Sequence, residues 1–216
     1  MRILTLALAG AVSLIAAPAL AQTGVFYGGV DFGATHATDI KVTNSAVKLD
    51  TDYGYDADIF LGYDMPGPFR LELEGAYKRA QLNAIVPFAA AAVEGAGNIS
   101  ASSVMLNAFM DFGDDEKATS FFVGGGIGKG RVDFDGLRPT GALTDSFSGD
   151  DDGLAWQIMA GGRTPINDRA DLKIMYRYFT VDDVDIQPAT GPAQSVDFNS
   201  HSVLVGVSVN FGPGAR

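Results

Sequence analysis

The stretch His201-Ser-Val-Leu-Val-Gly-Val-Ser-Val-Asn-Phe211 decides the fold of this chain. Four valines and the final phenylalanine occupy every second position, and small or polar residues fill the positions between them, with Leu204 as the one exception. A two-residue period places alternate side chains on opposite faces of a β-strand. The segment therefore predicts a strand that lies between an apolar environment and a polar one.

Seven segments upstream show the same alternation, so the sequence predicts eight strands. These strands are residues 25–34, 51–64, 69–80, 102–112, 121–134, 154–163, 172–181 and 201–211. The connections between them alternate between long and short, and an even number of strands with this alternation is typical of outer-membrane barrels. We therefore predict an all-β, eight-stranded antiparallel up-and-down transmembrane β-barrel, with short periplasmic turns, four long extracellular loops and periplasmic termini.

The first 21 residues have the features of a cleaved signal peptide. Arg2 supplies the positive start, an apolar run follows, and Ala19-Leu20-Ala21 is a small-x-small cleavage site. The mature domain is then residues 22–216, too small for two barrels. It lacks cysteine and carries 14 basic against 26 acidic side chains, a net charge of −12. Such an acidic chain is expected to bind nucleic acids poorly. Because it has no cysteine, it cannot be stabilised by disulfides.

The outward faces of the predicted strands carry an aromatic girdle near the periplasmic end. Its members are Phe26, Tyr63, Phe69, Phe112, Phe121 and Phe211. A second, more scattered belt lies toward the other end, and rings of this kind prefer both membrane interfaces. Alternation alone also fits a soluble lipocalin-like barrel with its apolar face inside. The two belts, the loop alternation and the terminal aromatic favour the membrane.

The opposite face carries acids and bases in nearly equal number. We predict a lumen ion-pair network of Asp31, Asp56, Asp58, Arg70, Glu72, Glu74, Lys78, Asp111, Arg163, Lys173 and Arg177. Each buried charge needs a partner, so a narrow lumen of this composition favours an ion-pair plug. A small-solute pore that uses the same lumen is the alternative function.

No segment of the sequence points to a bound cofactor or to a catalytic site. The glycine-rich stretch 124–130 lacks the residues of a phosphate-binding loop and is followed by more strand. His36 and His201 are expected to meet near the extracellular rim, where a metal site or an acid–base pair is the functional alternative. His201 and Ser202 are adjacent and point to opposite faces, which disfavours an outer-leaflet lipid enzyme. We therefore predict a protein that is not an enzyme.

Basic residues near the extracellular rim suggest a contact with lipopolysaccharide. Arg79, Lys129 and Arg131 face outward, at the level where lipopolysaccharide phosphates lie. The aspartates at 150–152, 182, 183 and 185 are interpreted as a solvated acidic rim, with divalent-cation binding as the alternative. The apolar stretch 84–93 falls in a predicted loop, where it either packs within the loop or contacts a host or cell surface.

Several of these segments resemble a known family. They are Arg70 to Tyr77, Asn107 with Asp111-Phe112, Ala155-Trp156-Gln157, Tyr176-Arg177-Tyr178, and Gly206 with Phe211. They are similar to OmpA-like small outer-membrane barrels, especially alphaproteobacterial surface antigens. The resemblance implies insertion by the outer-membrane barrel assembly machinery, which would recognise Gly206, Val209 and Phe211 in the last strand. We expect a monomeric barrel with a structural or surface-interaction role, adhesin-like or antigen-like, carried by the four long loops. We expect no peptidoglycan-binding domain, so the wall-anchoring role of two-domain relatives is not transferred to this chain.

Overall fold

The structure, a computed structural model, describes residues 24–38, 40–41, 47–87, 93–113, 119–139, 147–186 and 194–211. The predicted signal peptide lies outside these residues, so its cleavage stays a prediction. Among the described residues, no helix is long and apolar enough to cross a membrane.

The regular structure in these ranges consists of ten β-strands. Their bounds are β1 Val25–Thr38, β2 Ile40–Lys41, β3 Val47–Thr51, β4 Tyr53–Asp64, β5 Phe69–Pro87, β6 Val93–Phe112, β7 Ser120–Pro139, β8 Phe147–Asn167, β9 Ala170–Ile186 and β10 Gln194–Asn210. Strand β2 continues the path of β1, and β3 leads through Asp52 into β4. Counting β1 with β2 as one barrel strand and β3 with β4 as another, the ten segments form an eight-stranded barrel.

All pairings in the sheet are antiparallel, and the last strand closes on the first. In this closing seam Asp31 lies opposite Gly206, and His36 lies opposite His201. Strand β1 also pairs with β4, β4 pairs with β5, and each later strand pairs with the one before it. The predicted fold class is confirmed. We call the end of the barrel with the short connections the turn end and the opposite end the loop end.

The strands extend farther toward the loop end than the sequence predicts. Strands β5 to β10 contain 17 to 21 residues, whereas about 9–11 residues of tilted strand cross a hydrocarbon layer. Residues 81–87 and 93–101, which were predicted to form one loop, continue β5 and β6 and pair with each other. The apolar alternation ends earlier than the hydrogen bonding, because ladder pairing satisfies the backbone whatever the side chains are.

The apolar stretch 84–93, interpreted above as a loop feature, is therefore partly strand. Residues 84–87 end β5, and Val93 begins β6. Residues 88–92 lie outside the described part of the chain.

The alternation that defines the last strand is visible in its burial. Val203, Val205, Val207 and Val209 are 40 to 55% exposed, whereas Leu204 is fully buried. Gly206 faces inward, and a Cβ there would collide with the carboxylate of Asp31. The glycine is therefore needed at this position, because the lumen has no space for a second side chain at that level.

The face assignment predicts that a charge at the centre of the outward face is costly. Because hydrocarbon is expected to bathe Val205, Val205→Arg should lower the free energy of unfolding in lipid vesicles by about 2–4 kcal/mol. Val209→Arg lies near the predicted interface and should cost about 0–1 kcal/mol. Urea titrations of both variants measure the difference, and equal losses would contradict the assignment.

Candidate functional site

The centre of the barrel holds a buried arginine bound to three carboxylates. Nη2 of Arg177 on β9 lies 2.8 Å from Asp58 Oδ2 and 3.1 Å from Glu74 Oε2. Its Nη1 lies 3.3 Å from Asp56 Oδ2. The two-residue spacing of Asp56 and Asp58 brings both carboxylates to the lumen side of β4. We call these four residues, with Lys78 and Lys173, the Arg177 cluster.

The two lysines of this cluster contact carboxylates and aromatic rings, and two amides outside the cluster donate hydrogen bonds to it. Nζ of Lys78 lies 3.3 Å from Asp56 Oδ1 and 4.3 Å from the centre of the Phe179 ring. Nζ of Lys173 lies 2.7 Å from Asp31 and 4.0 Å from the centre of the Phe60 ring. Amide groups on β6 and β8 also donate to Glu74 Oε2, from Asn107 at 2.8 Å and from Gln157 at 3.1 Å. The cations are thus held by both carboxylates and aromatic faces.

A second set of charges lies toward the turn end. Arg70 donates to Glu72 at 2.9 Å, to Asp111 at 2.6 Å and to the hydroxyl of Tyr27 at 2.9 Å. Arg163 approaches Asp111 at 3.6 Å. All eleven residues predicted for the lumen therefore lie on the inward face and take part in ion pairs with one another. Sequence analysis missed Tyr27, although it shares the strand parity of Asp31.

The lumen also contains apolar side chains that the sequence analysis did not predict. An upper apolar cluster lies on the loop-end side of the Arg177 cluster and consists of Ala37, Ala80, Ile99, Ala101, Met105, Val132, Phe134, Ala155, Phe179, Val181, Val184 and Phe198. A lower apolar cluster consists of Phe109, Phe122, Met159, Met175 and Leu204. Five of the twelve members of the upper cluster lie beyond the predicted strand ends, namely Ala37, Ile99, Ala101, Val184 and Phe198. The lumen therefore contains apolar clusters as well as the predicted charges.

Leu204, the exception in the opening alternation, has a physical explanation in the lower apolar cluster. It points inward and packs with side chains from four other strands. The guanidinium carbon of Arg70 lies 4.8 Å from the ring centre of Phe109 and 5.3 Å from that of Phe122. The apolar cluster thus supports the turn-end charges by cation–π contact as well as by excluding water.

Aromatic side chains ring the outside of the turn end. Phe26, Phe69, Phe112, Phe121 and Phe211 are exposed on the outer face, and Tyr63 is half-buried with its ring centre 4.8 Å from that of Phe26. In the last strand, Gly206 is buried and Val209 is exposed. The backbone N–H of Phe211 donates to Phe26 at 2.8 Å, which anchors the end of the strand in the closing seam.

The predicted outward bases lie near the loop end, and two of them have acidic partners. Lys129 pairs with Asp152 at 2.7 Å. Arg131 pairs with Asp150 and approaches Asp133 at 3.7 Å. The aspartates at 150 and 152, interpreted as part of a loop rim, thus lie on strand β8, where Asp152 is opposite Arg131 and Asp150 is opposite Asp133. Arg79 has no ion pair with any described residue.

The two histidines lie opposite each other across the closing seam, as the sequence predicts. His201 Nδ1 lies 2.5 Å from the hydroxyl of Tyr176, and the ring of His36 lies beside Tyr53. Ser202 points inward, where its hydroxyl donates to Thr35. Within the described ranges, no group of three or more His, Cys, Asp or Glu side chains is arranged to hold a metal ion.

Comparisons with known proteins agree with this architecture. The model of the outer membrane protein beta-barrel domain family matches residues 5–211. The solved structure of Neisserial surface protein A has a TM-score of 0.57 at 19% identity, and the match covers 88% of this chain and 100% of that one. The outer membrane protein OprG from Pseudomonas aeruginosa has a TM-score of 0.56 at 17% identity, over 89% of this chain and 98% of that one. At such identities the likeness shows the fold alone.

A search of curated proteins found no significant match. The resemblance to small outer-membrane barrels, drawn from the sequence, is confirmed by the family match, which spans nearly the whole chain. The surrounding lipid is the apolar environment that the outward valines and aromatics require. The chain therefore belongs to the outer membrane protein beta-barrel domain family and resides in the outer membrane of a Gram-negative bacterium.

Proposed function

We propose that this protein is a non-enzymatic outer-membrane barrel with a closed lumen, which acts as a structural and surface-interaction protein. The single observation that carries the proposal is the Arg177 cluster, whose central guanidinium is fully buried among three carboxylates. The upper apolar cluster lies between it and the loop end. Charges that are paired with one another and covered by apolar side chains disfavour a continuous water path.

The same geometry disfavours the two other functions that the sequence left open. A small-solute pore needs polar, solvent-accessible side chains along the whole lumen, whereas Val132, Ala155 and Phe179 in the upper cluster are fully buried. A lipid-modifying enzyme of the outer leaflet needs a nucleophile beside its base, whereas Ser202 and His201 lie on opposite faces of β10. The surface role is assigned to the loop end, which we propose faces the cell exterior.

The outward bases at the loop end support a contact with lipopolysaccharide as part of this proposal. Arg79, Lys129 and Arg131 would bind its phosphates through charge-assisted hydrogen bonds. The acidic partners of Lys129 and Arg131 are exposed, and exposed ion pairs contribute little to stability. A phosphate could therefore displace these partners at a small cost in free energy. Recognition of Gly206, Val209 and Phe211 by the barrel assembly machinery and cleavage of the signal peptide before Gln22 complete the proposal.

The closed lumen predicts that the protein conducts poorly. Purified protein in planar lipid bilayers should give no stable single-channel current, because neither the Arg177 cluster nor the upper apolar cluster leaves a hydrated path. A general porin purified and inserted in the same way is the positive control. A reproducible ohmic conductance that scales with salt concentration would support the pore instead.

The Arg177 cluster predicts a large effect of removing its central cation. Arg177→Met leaves Asp56, Asp58 and Glu74 without their shared partner and should lower the free energy of unfolding by about 3–5 kcal/mol. Lys129→Met removes an exposed cation and should change it by less than about 1 kcal/mol. Urea unfolding in vesicles, followed by the fluorescence of the single tryptophan, Trp156, measures both variants. Similar small losses for the two would show that the cluster does not hold the barrel together.

The lipopolysaccharide contact predicts that charge reversal reduces lipid binding. With Arg79, Lys129 and Arg131 all changed to Glu, less lipopolysaccharide should co-purify with the folded protein, because phosphates would meet acids instead of bases. Arg169→Glu lies in the short turn after β8, at the opposite end, and serves as the control. An unchanged ratio of lipopolysaccharide to protein in the triple variant would rule the contact out.

A further inference from the structure

A polar cleft of about 370 Å³ lies on the outer face of strands β5 to β8, near the loop end. Its lining is Tyr77, Arg79, Asn98, Ser100, Asp133, Phe134, Asp135, Gly149 and Asp150. The lining combines one cation, three carboxylates, one amide, two hydroxyls and two aromatic rings. The ion-pair network of the lumen does not include these residues.

The cleft arises from the register of four neighbouring strands. Arg79 on β5 lies opposite Ser100 on β6, Ser100 opposite Asp133 on β7, and Asp133 opposite Asp150 on β8. The small side chain of Ser100 forms the floor, and the longer side chains on either side form the walls. Because adjacent strands are about 4.8 Å apart, the backbones that carry Arg79 and Asp133 are separated by roughly 10 Å.

The position of the cleft along the barrel places it at the level of lipid headgroups. Tyr77 lines the end of the cleft nearest the barrel centre, and its ring centre is 6.1 Å from that of Tyr55. Tyr55 in turn stacks with Phe32 at 6.5 Å. Closer to the barrel centre, the outward residue of β5 is the apolar Leu73. Aromatic belts mark the boundary between hydrocarbon and headgroups. The cleft therefore opens just beyond that boundary.

The lining has the donors and acceptors that a sugar ring requires. The carboxylates of Asp133 and Asp150 are neighbours of Arg131, which engages one oxygen of each, and their other oxygens and those of Asp135 can accept hydrogen bonds from hydroxyl groups. Asn98 donates as well as accepts. The guanidinium of Arg79 has no ion pair with the described residues, so it is free to bind an anionic substituent bidentately. The half-exposed ring of Tyr77 offers an apolar surface to the carbon face of a sugar.

From this geometry we infer that the cleft binds a saccharide unit of lipopolysaccharide in the surrounding outer leaflet. The sugar ring lies over Ser100 between the two walls, and Arg79 contacts a phosphate or carboxylate on that unit. This inference rests on the proposed lipopolysaccharide contact but adds a separate determinant. That contact depends on charge alone, whereas the cleft depends on the shape of its floor.

The test uses a soluble probe and two matched variants. The probe is lipopolysaccharide from which all fatty acids have been removed, titrated into the full-length protein in phospholipid nanodiscs free of lipopolysaccharide. Ser100→Leu fills the floor without changing the charge, and Ser102→Leu makes the same change one outward position nearer the barrel centre, outside the cleft. Binding is measured by calorimetry and by amide shifts of residues on β5 to β7.

The wild type and Ser102→Leu should bind the probe with the same Kd, and Ser100→Leu should bind it at least about tenfold more weakly. The side chain of Arg79 is exposed, so Arg79→Gln does not disturb the interior. This variant should also bind the probe roughly tenfold or more weakly, as expected for a lost charge-assisted hydrogen bond. The heat-dependent gel mobility of each variant checks that it is folded. This second variant keeps the test decisive if leucine at position 100 impairs folding.

Unchanged binding in Ser100→Leu and Arg79→Gln would overturn the inference, as would equal weakening by the two leucine variants. A third outcome is that intact lipopolysaccharide co-purifies in a charge-dependent way while the wild type fails to bind the deacylated probe. That result would overturn the sugar site and leave the proposed lipopolysaccharide contact standing. If the wild type does not bind the deacylated probe and intact lipopolysaccharide does not co-purify in a charge-dependent way, both the sugar site and the proposed lipopolysaccharide contact are rejected.

Discussion

The whole structure depends on one constraint, which is that a backbone in hydrocarbon must satisfy every N–H and C=O by itself. In this chain β10 closes on β1 in an unbroken register from Tyr27 to Thr38, so the described sheet leaves no edge to lipid between its first and last strands. Closure also divides every strand into an inward and an outward face. The location of each charge and each aromatic ring follows from that division.

The narrow lumen then determines how the charges are arranged. Arg177, Asp56 and Asp58 are completely or almost completely buried, and such charges are tolerated only when each one has a close partner. The lumen provides these partners from strands that are distant in sequence. The ion pairs join strands across the lumen, and the apolar clusters pack above and beside them. This arrangement is the reason that the proposed function is assigned to the outside of the molecule.

The outer face changes character where the strands leave the bilayer. Valines and aromatics cover the part that faces hydrocarbon, whereas interleaved acids and bases cover the strand extensions beyond it. Because these extensions remain paired in the sheet, Arg79, Lys129 and Arg131 lie on strands rather than on loops. Sites on strands hold their side chains more precisely than sites on loops, which suits the lipopolysaccharide contact that we propose.

The sequence by itself determined which residues face inward and which face outward, because the two-residue period of a strand is a local property. It therefore grouped on one face the eleven charges that form ion pairs with one another in the structure, and it predicted the number of strands. Only the tertiary structure decided which charges meet, since Arg177 and Asp56 are 121 residues apart and are brought together by closure and stagger. It also decided the true strand lengths, the upper apolar cluster and the inward role of Leu204. These features depend on how neighbouring strands pair, and no single strand records that information.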